Sequence, residues 1–337
     1  MHNSAETIRE RNCSIDIFRY IAAILVISVH TDPLIELQPM LSYLVAHVLP
    51  RIAVPYFFAV SGYYCTAKLD NGKFDLWAYV RRLLLPYGLW TLIYFAHHLL
   101  SYGMPDIGQW VLSFLVYGSV YHFWFFPALI LAVCVLTVLH RAEKCIVPLG
   151  VLLVAVGCLG HGFYRFGCRL PLLSALYELE NWTWIGHVFF LGLPCCFMGY
   201  FIWRTQDHWQ SPRQITAALI VTFALSVVEV FLLKILDISR SITETVVLFP
   251  FVYFLVIWLL QHPMSGLTAL SKTCRSLANV TYYSHVLFIM IFNDLNALMF
   301  DGGLTPTVKF LFAFSLTLIL GLLLSRCKSR AVKALIA

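Results

Sequence analysis

Charge is what this chain has least of. Only 12% of its 337 residues are charged, while 60% are apolar and the mean hydropathy is +0.81; an ordinary globular domain is about a quarter charged. That excludes a soluble enzyme and leaves an all-α integral membrane protein with little extramembrane mass. Metal-type cysteine patterns are missing as well: ten cysteines lie scattered in apolar sequence, Cys195 and Cys196 side by side, and none forms a CxxC or a Cys/His zinc spacing. They read as small buried side chains, and only Cys158 and Cys168, both expected near the outer face, are placed for a disulfide. The His97-His98 pair lacks further ligand spacing, so no metal site is expected. No low-complexity segment or internal repeat is evident. The first apolar segment ends at His30 and Asp32 without a small-residue cleavage site, so the first span is expected to be retained, not removed as a signal peptide.

What is there is a series of apolar segments. Ten candidate spans run approximately over 14–31, 51–67, 83–101, 121–139, 146–162, 184–203, 214–232, 244–261, 277–293 and 308–325. The stretch 109–120 is apolar enough for an extra interfacial or re-entrant helix. Cytoplasmic loops collect Lys and Arg. With the N terminus inside, one face gathers sixteen basic residues, among them Arg9, Arg11, Arg81, Arg82, Lys272, Arg275, Lys328, Arg330 and Lys333. The other face gathers six, Arg51 among them, and Arg19 stays in the membrane. Both termini are therefore expected in the cytoplasm, as a segment 1–13 and a tail 326–337 of one single membrane domain, 1–337. Topology accounts for the net charge of +6, and no nucleic-acid partner is needed.

Ionisable groups inside spans are functional-site candidates, and the first span holds three. Asp16 and Arg19 are three apart and share a helix face. His30 lies eleven residues beyond Arg19, a rotation of roughly 1100° and a rise of roughly 16 Å, which returns it to within about 20° of the same stripe. All three can point into one cavity, Arg19 toward the cytoplasm and His30 toward the outside. The plainer reading is a snorkelling arginine and a helix-end histidine. In the second span, RIAVPYFFAVSGYY, Pro55 and the Ser61-Gly62 pair either mark a local irregularity lining a cavity or form a small-residue packing surface. Arg81 and Arg82, where the next loop enters the third span, suit a phosphate-rich ligand through forked guanidinium geometry; membrane anchoring explains them equally. His122 sits among aromatics in YHFWFFPALI, an interfacial belt that does not itself explain the histidine. Glu229, among valines and leucines in ALSVVEVFLLK, must find a partner or titrate upward. His285 in NVTYYSHVLF reads either as a satisfied core histidine or as a site residue.

Together these motifs resemble the membrane acyltransferase family 3, a family of integral membrane O-acyltransferases. The resemblance rests on the Arg-ten-His first span, on VPYFFAVSGYY, RRLLLPYGLW and YHFWFFPALI, and on the late YYSHVLF, in that order along nearly the whole chain. In detail the chain is similar to the membrane half of vancomycin-resistance-type membrane serine racemases, through AVPYFFAVSGYY, YHFWFFPALI and Glu229. The chain stops at Ala337, so a minimal version without the racemase domain or an appended hydrolase-like domain is expected.

The resemblance implies a multi-pass protein of the bacterial cytoplasmic membrane that transfers an acyl group, most often acetyl, from cytoplasmic acyl-CoA to a hydroxyl of a cell-surface glycan or its lipid-linked precursor. Acetyl-CoA or another acyl-CoA would be donor substrate, and no cofactor would be permanently bound. Arg19, with Arg82 and Arg81 at the cavity mouth and Ser61 nearby, would hold the donor. His30 would act as general base or transient acyl acceptor, since both roles need a neutral imidazole near the thioester. His122 would orient that ring or the acceptor, Asp16 would position Arg19, and Glu229 and His285 are further candidates. The lipid bilayer is a partner by construction, and a second copy of the chain is a possible one. The competing reading, taken from the serine-racemase branch, is a transporter-like module for a small amino acid such as serine.

Overall fold

The computed structural model describes residues 12–178, 182–327 and 329. Arg9, Arg11, Lys328, Arg330 and Lys333, and with them most of the two terminal segments assigned to the cytoplasm, lie outside the described residues. Among the described residues every regular element is helical. Each of the ten apolar segments contains an α-helix: α1 Cys13–Val29, α2 Ala53–Asp70, α3 Leu76–Tyr102, α4 Phe125–Leu139, α5 Glu143–Gly160, α6 Leu193–Arg204, α7 Pro212–Ile235, α8 Leu248–Gln261, α9 Thr268–Phe300 and α10 Pro306–Arg326. The expected extra helix is present as Ile107–Leu112, continued by a π-helical turn over Ser113–Tyr117.

Seven of these helical stretches are long and apolar enough to cross a membrane, where hydropathy suggests about ten. The remaining three fall short for visible reasons. Helix α1 has 17 residues with Asp16 and Arg19 inside it. Helix α4 has 15 residues because Tyr121–Trp124 form turns ahead of it, and α8 has 14. The ninth segment errs the other way: α9 begins at Thr268, not near 277, and runs for 33 residues. Lys272 and Arg275, expected in a loop, are therefore helical.

The chain divides into two compact units, residues up to Ala53 together with those from Val256 onward, and Val54–Leu255. In the first unit α9 packs against both α1 and α10, around Ile27, Ile289 and Ala313 with Phe288, Phe310 and Phe314 against them. Asp16 meets Arg275 and Ile27 meets Ile289, so α1 and α9 run parallel. Gly321 lies against Leu277 and Val280, so α10 returns antiparallel. The N terminus of α1 is tied down by polar bonds. The Asn12 side chain accepts from the Ile15 N–H at 3.2 Å and donates to the carbonyls of Leu259 and Leu260. Cys13 N–H donates to the Pro263 carbonyl at 3.0 Å, and the Ser14 hydroxyl bonds the His262 carbonyl.

In the second unit α2 is a regular helix over Ala53–Asp70. Pro55 falls in its first turn, where a missing N–H costs little. The irregular backbone lies upstream instead, as a π turn over Leu44–Val48 and a 3-10 turn over Leu49–Ile52. Gly62 serves packing: a Cβ there would lie 2.1 Å from the Cys196 carbonyl oxygen. At the far end of α2, Arg204 bridges Asp70 at 3.0 Å and Glu143 at 3.1 Å, and the Trp203 indole N–H donates to Asp70.

Glu229 finds the partner its apolar neighbours demand. Its two carboxylate oxygens accept the N–H groups of Val246 and Val247, each at 2.8 Å, immediately before α8. It thus satisfies orphan donors at a helix N-terminus and opposes the positive end of the dipole. Glu229→Ala is expected to cost about 2 kcal/mol, the scale of hydrogen bonds to a charged acceptor, with Glu229→Gln between it and the wild type. Thermal unfolding in detergent reads this out, and an unchanged transition in Glu229→Ala would remove the capping role.

Candidate functional site

The α1–α9 pair carries polar groups at two separate levels. At its start, Asp16 is almost fully buried and receives Arg275 in a fork: Nε donates to Oδ1 at 2.9 Å and Nη2 to Oδ2 at 2.8 Å. The Ser271 hydroxyl donates to Oδ2 at 2.8 Å. Arg19, the partner expected from the sequence, stands farther off, its Nη1 3.7 Å from Oδ1. Asp16 therefore pairs first with a residue 259 positions away and only loosely with its own helix neighbour. Nothing in the local sequence signals Arg275, which reads as one more cytoplasmic loop charge.

Toward the C-terminal end of the pair the two histidines meet. His30 is the C-cap residue of α1, and its ring stacks on that of His285, with centroids 5.5 Å apart and planes 26° apart. His285 is fully buried on α9, and its Nδ1 lies 2.9 Å from both the Thr281 and the Tyr282 carbonyl oxygens. Carbonyls only accept, so Nδ1 carries the proton, and in the neutral ring Nε2 is the basic nitrogen. Arg19 and His30 lie eleven residues apart and Arg275 and His285 ten, so along both helices roughly 15 Å separates the arginine level from the histidine level.

The turn that follows His30 adds groups not singled out in the sequence. Asp32, in left-handed backbone at φ 47°, holds His47 through an Oδ1–Nε2 contact of 2.8 Å. Arg51 Nε donates to the His47 carbonyl at 3.1 Å. The sequence signal for this pair is faint, because a 15-residue spacing across a proline-containing loop matches no helical register. Nearby Glu36, outside the spans, accepts from Thr307 at the start of α10. Hydrogen bonding from the Thr307 side chain leads the causes that hold its carboxyl down at about 2.

The other candidates belong to the second unit. Arg81 and Arg82 are exposed in the second turn of α3. The Arg82 guanidinium sits 5.5 Å from the centroid of the Tyr79 ring. His122 is buried in the turns ahead of α4, with Phe123 at 4.1 Å and Tyr94 at 5.6 Å between ring centroids. A second polar pair escapes sequence reading altogether: His161 Nδ1 lies 3.0 Å from Glu244 Oε2, both nearly inaccessible. The His161 carbonyl also accepts from the N–H of Arg240. The pair fastens the turn after α5 to the segment before α8. Cys158 is buried, Cys168 exposed, and all ten cysteines are free thiols.

Comparison with known proteins gives these residues a context. The profile of the family described as Acyltransferase domain matches residues 12–326. The chain is similar to an amino-acid racemase of Enterococcus faecalis, 31% identical over 211 residues that make up 58% of this chain and 30% of the relative. It is similar to a serine/alanine racemase of Enterococcus gallinarum, 32% identical over 200 residues, 55% of this chain and 28% of the relative. A second amino-acid racemase of Enterococcus faecalis aligns at 24% identity over 97% of this chain and 47% of its own length. The chain thus spans less than half the length of the relatives it matches. No solved structure matches.

Proposed function

The chain belongs to the acyltransferase domain family, and from that premise we propose that it is a multi-pass protein of the bacterial cytoplasmic membrane that moves an acyl group, most often acetyl, from cytoplasmic acyl-CoA to a hydroxyl of a cell-surface glycan or its lipid-linked precursor. About ten spans with both termini in the cytoplasm is the topology that goes with this reading. The observation that carries it is the division of labour along one helix pair. Guanidinium groups suited to phosphate stand at one level, and stacked imidazoles stand roughly 15 Å away, a separation that an extended pantetheine arm bridges.

Arg19 then binds the phosphate-bearing end of the donor at the arginine level of this helix pair. His30, at the other level, takes the proton of the acceptor hydroxyl as that oxygen attacks the thioester carbonyl. The carbon–sulfur bond breaks, the acyl group stays on the acceptor oxygen, and the departing thiolate takes the proton to leave as coenzyme A. His285 acts through His30 and is a positioning residue.

Acetyl-CoA binding to the purified chain in detergent tests the donor half of the reading. Losing one charge-assisted phosphate contact is worth about 1.5–3 kcal/mol, so Arg19→Ala is expected to weaken binding at least about tenfold. The relatives are named as racemases of amino acids, serine and alanine among them, and that amino-acid chemistry is what a second reading draws on, a membrane module that carries a small amino acid such as serine. Absence of acetyl-CoA binding by folded wild-type protein would move the assignment there, and uptake of labelled serine into proteoliposomes would then be the measurement.

A further inference from the structure

The arginine level of the α1–α9 pair has more cationic donors than its one carboxylate uses. Asp16 is only 2% exposed at its side chain, and Ser271 and the Arg275 fork take up its oxygens at 2.8–2.9 Å. Arg19 at 3.7 Å is beyond hydrogen-bonding distance. Among the described residues, the remaining Arg275 nitrogen, Nη1, and the Arg19 guanidinium have no hydrogen-bond acceptor. Both side chains are reachable, Arg19 at 25% and Arg275 at 45% exposure. Among the described residues, two guanidinium groups against one carboxylate leave a net charge of +1 held in place by a buried anchor.

We infer that Arg19 and Arg275 together form a two-arginine phosphate site, with buried Asp16 fixing their spacing. Planar guanidinium forks converging from two helices match the oxygens of a phosphate group. A bare carboxylate ligand would find the same donors but only one pair of oxygens to offer them. The anchor also explains why Asp16, a candidate catalytic residue by sequence, sits at the far level from the histidines: it holds the arginines and leaves the chemistry to the other end. The phosphate belongs either to the acyl donor, in which case the site extends the proposed function and rests on it, or to an anionic lipid headgroup.

The test uses the full chain in nanodiscs of neutral phosphatidylcholine. Adenosine 3′,5′-bisphosphate, the phosphate-bearing end of coenzyme A without its thiol arm, is titrated in one arm. In the other, phosphatidylglycerol replaces part of the lipid and the melting temperature is read. Arg19→Gln is compared with the paired variant Asp16→Asn/Arg275→Gln, which removes Arg275 without stranding a buried carboxylate, and with Asp16→Asn alone. Bisphosphate affinity is expected to fall at least tenfold in Arg19→Gln and in the paired variant, and to fall by less in Asp16→Asn, whose amide oxygen still accepts from Arg275. If bisphosphate does not bind but the phosphatidylglycerol-dependent rise in melting temperature is lost in both variants, the phosphate site stands as a lipid site and the donor assignment falls. Wild-type responses in neither arm, or a folded paired variant that keeps both, overturn the inference. Should the paired variant fail to fold, Arg275→Lys keeps the ion pair but not the fork. Unchanged bisphosphate and lipid responses in it would overturn the inference equally.

Discussion

Replacing His30 by alanine is expected to lower acyl transfer about 10²–10⁴-fold, the range general-base catalysis contributes, while leaving donor binding and the unfolding transition near wild type. Binding survives because the arginine level lies roughly 15 Å along the helix from the imidazoles. The fold survives because His30 is the C-cap residue of α1, and its backbone N–H, which bonds the Ile27 and Ser28 carbonyls, is untouched by the change. His285→Ala should fall less far, by about tenfold, since His285 faces the reaction only through the stacked ring of His30. It should also cost stability, because the ring fills a fully buried position on α9. The decisive comparison is single-turnover transfer at saturating donor. If His30→Ala keeps its rate within threefold of wild type, the base lies elsewhere, and His47, oriented by Asp32 at 2.8 Å, is the next residue to replace.

The sequence makes the histidine level more legible than the arginine level, and the reason is range. Eleven residues is close to three helical turns, so the alignment of Arg19 with His30 follows from helix geometry alone. His285 shows itself as an ionisable group in an apolar run. Arg275 carries no such mark, because its meaning depends on a carboxylate 259 residues away. The same pairing explains the misplaced start of α9. A basic residue read as loop charge became a helical residue once Asp16 supplied its counter-charge. Glu229 was legible in kind, a carboxylate that needs a partner, but not in identity, since backbone N–H groups leave no trace in composition. His161 and Glu244 were illegible for the same reason as Arg275: each looks ordinary until the fold brings the other within 3.0 Å.

Helix existence was the easiest thing to read, and helix packing the place where small residues decide the outcome. Ser61-Gly62 admits either a cavity or a packing surface by sequence, and the structure chooses packing with little room to spare. A Cβ at Gly199 on α6 would lie 2.0 Å from the Ala59 carbonyl oxygen and 2.5 Å from the Tyr63 nitrogen on α2, and one at Gly62 would lie 2.1 Å from the Cys196 carbonyl oxygen. These obstacles are backbone atoms, which cannot swing aside as a flexible side chain can. Without a hydrophobic drive between helices in lipid, close backbone approach is what holds such a pair together. Gly199→Leu is therefore expected to cost about 3 kcal/mol or more, the upper end of overpacking, and Gly199→Ala somewhat less. Combining Gly62→Ala with Gly199→Ala should cost less than the sum of the two, because once the helices have parted for one methyl group the second meets no backbone. Unfolding of the purified variants in a denaturing detergent titration gives both numbers. Strict additivity would mean that the two glycines act at separate contacts, and a wild-type transition in Gly199→Leu would mean that α2 and α6 do not approach as closely as their glycines allow.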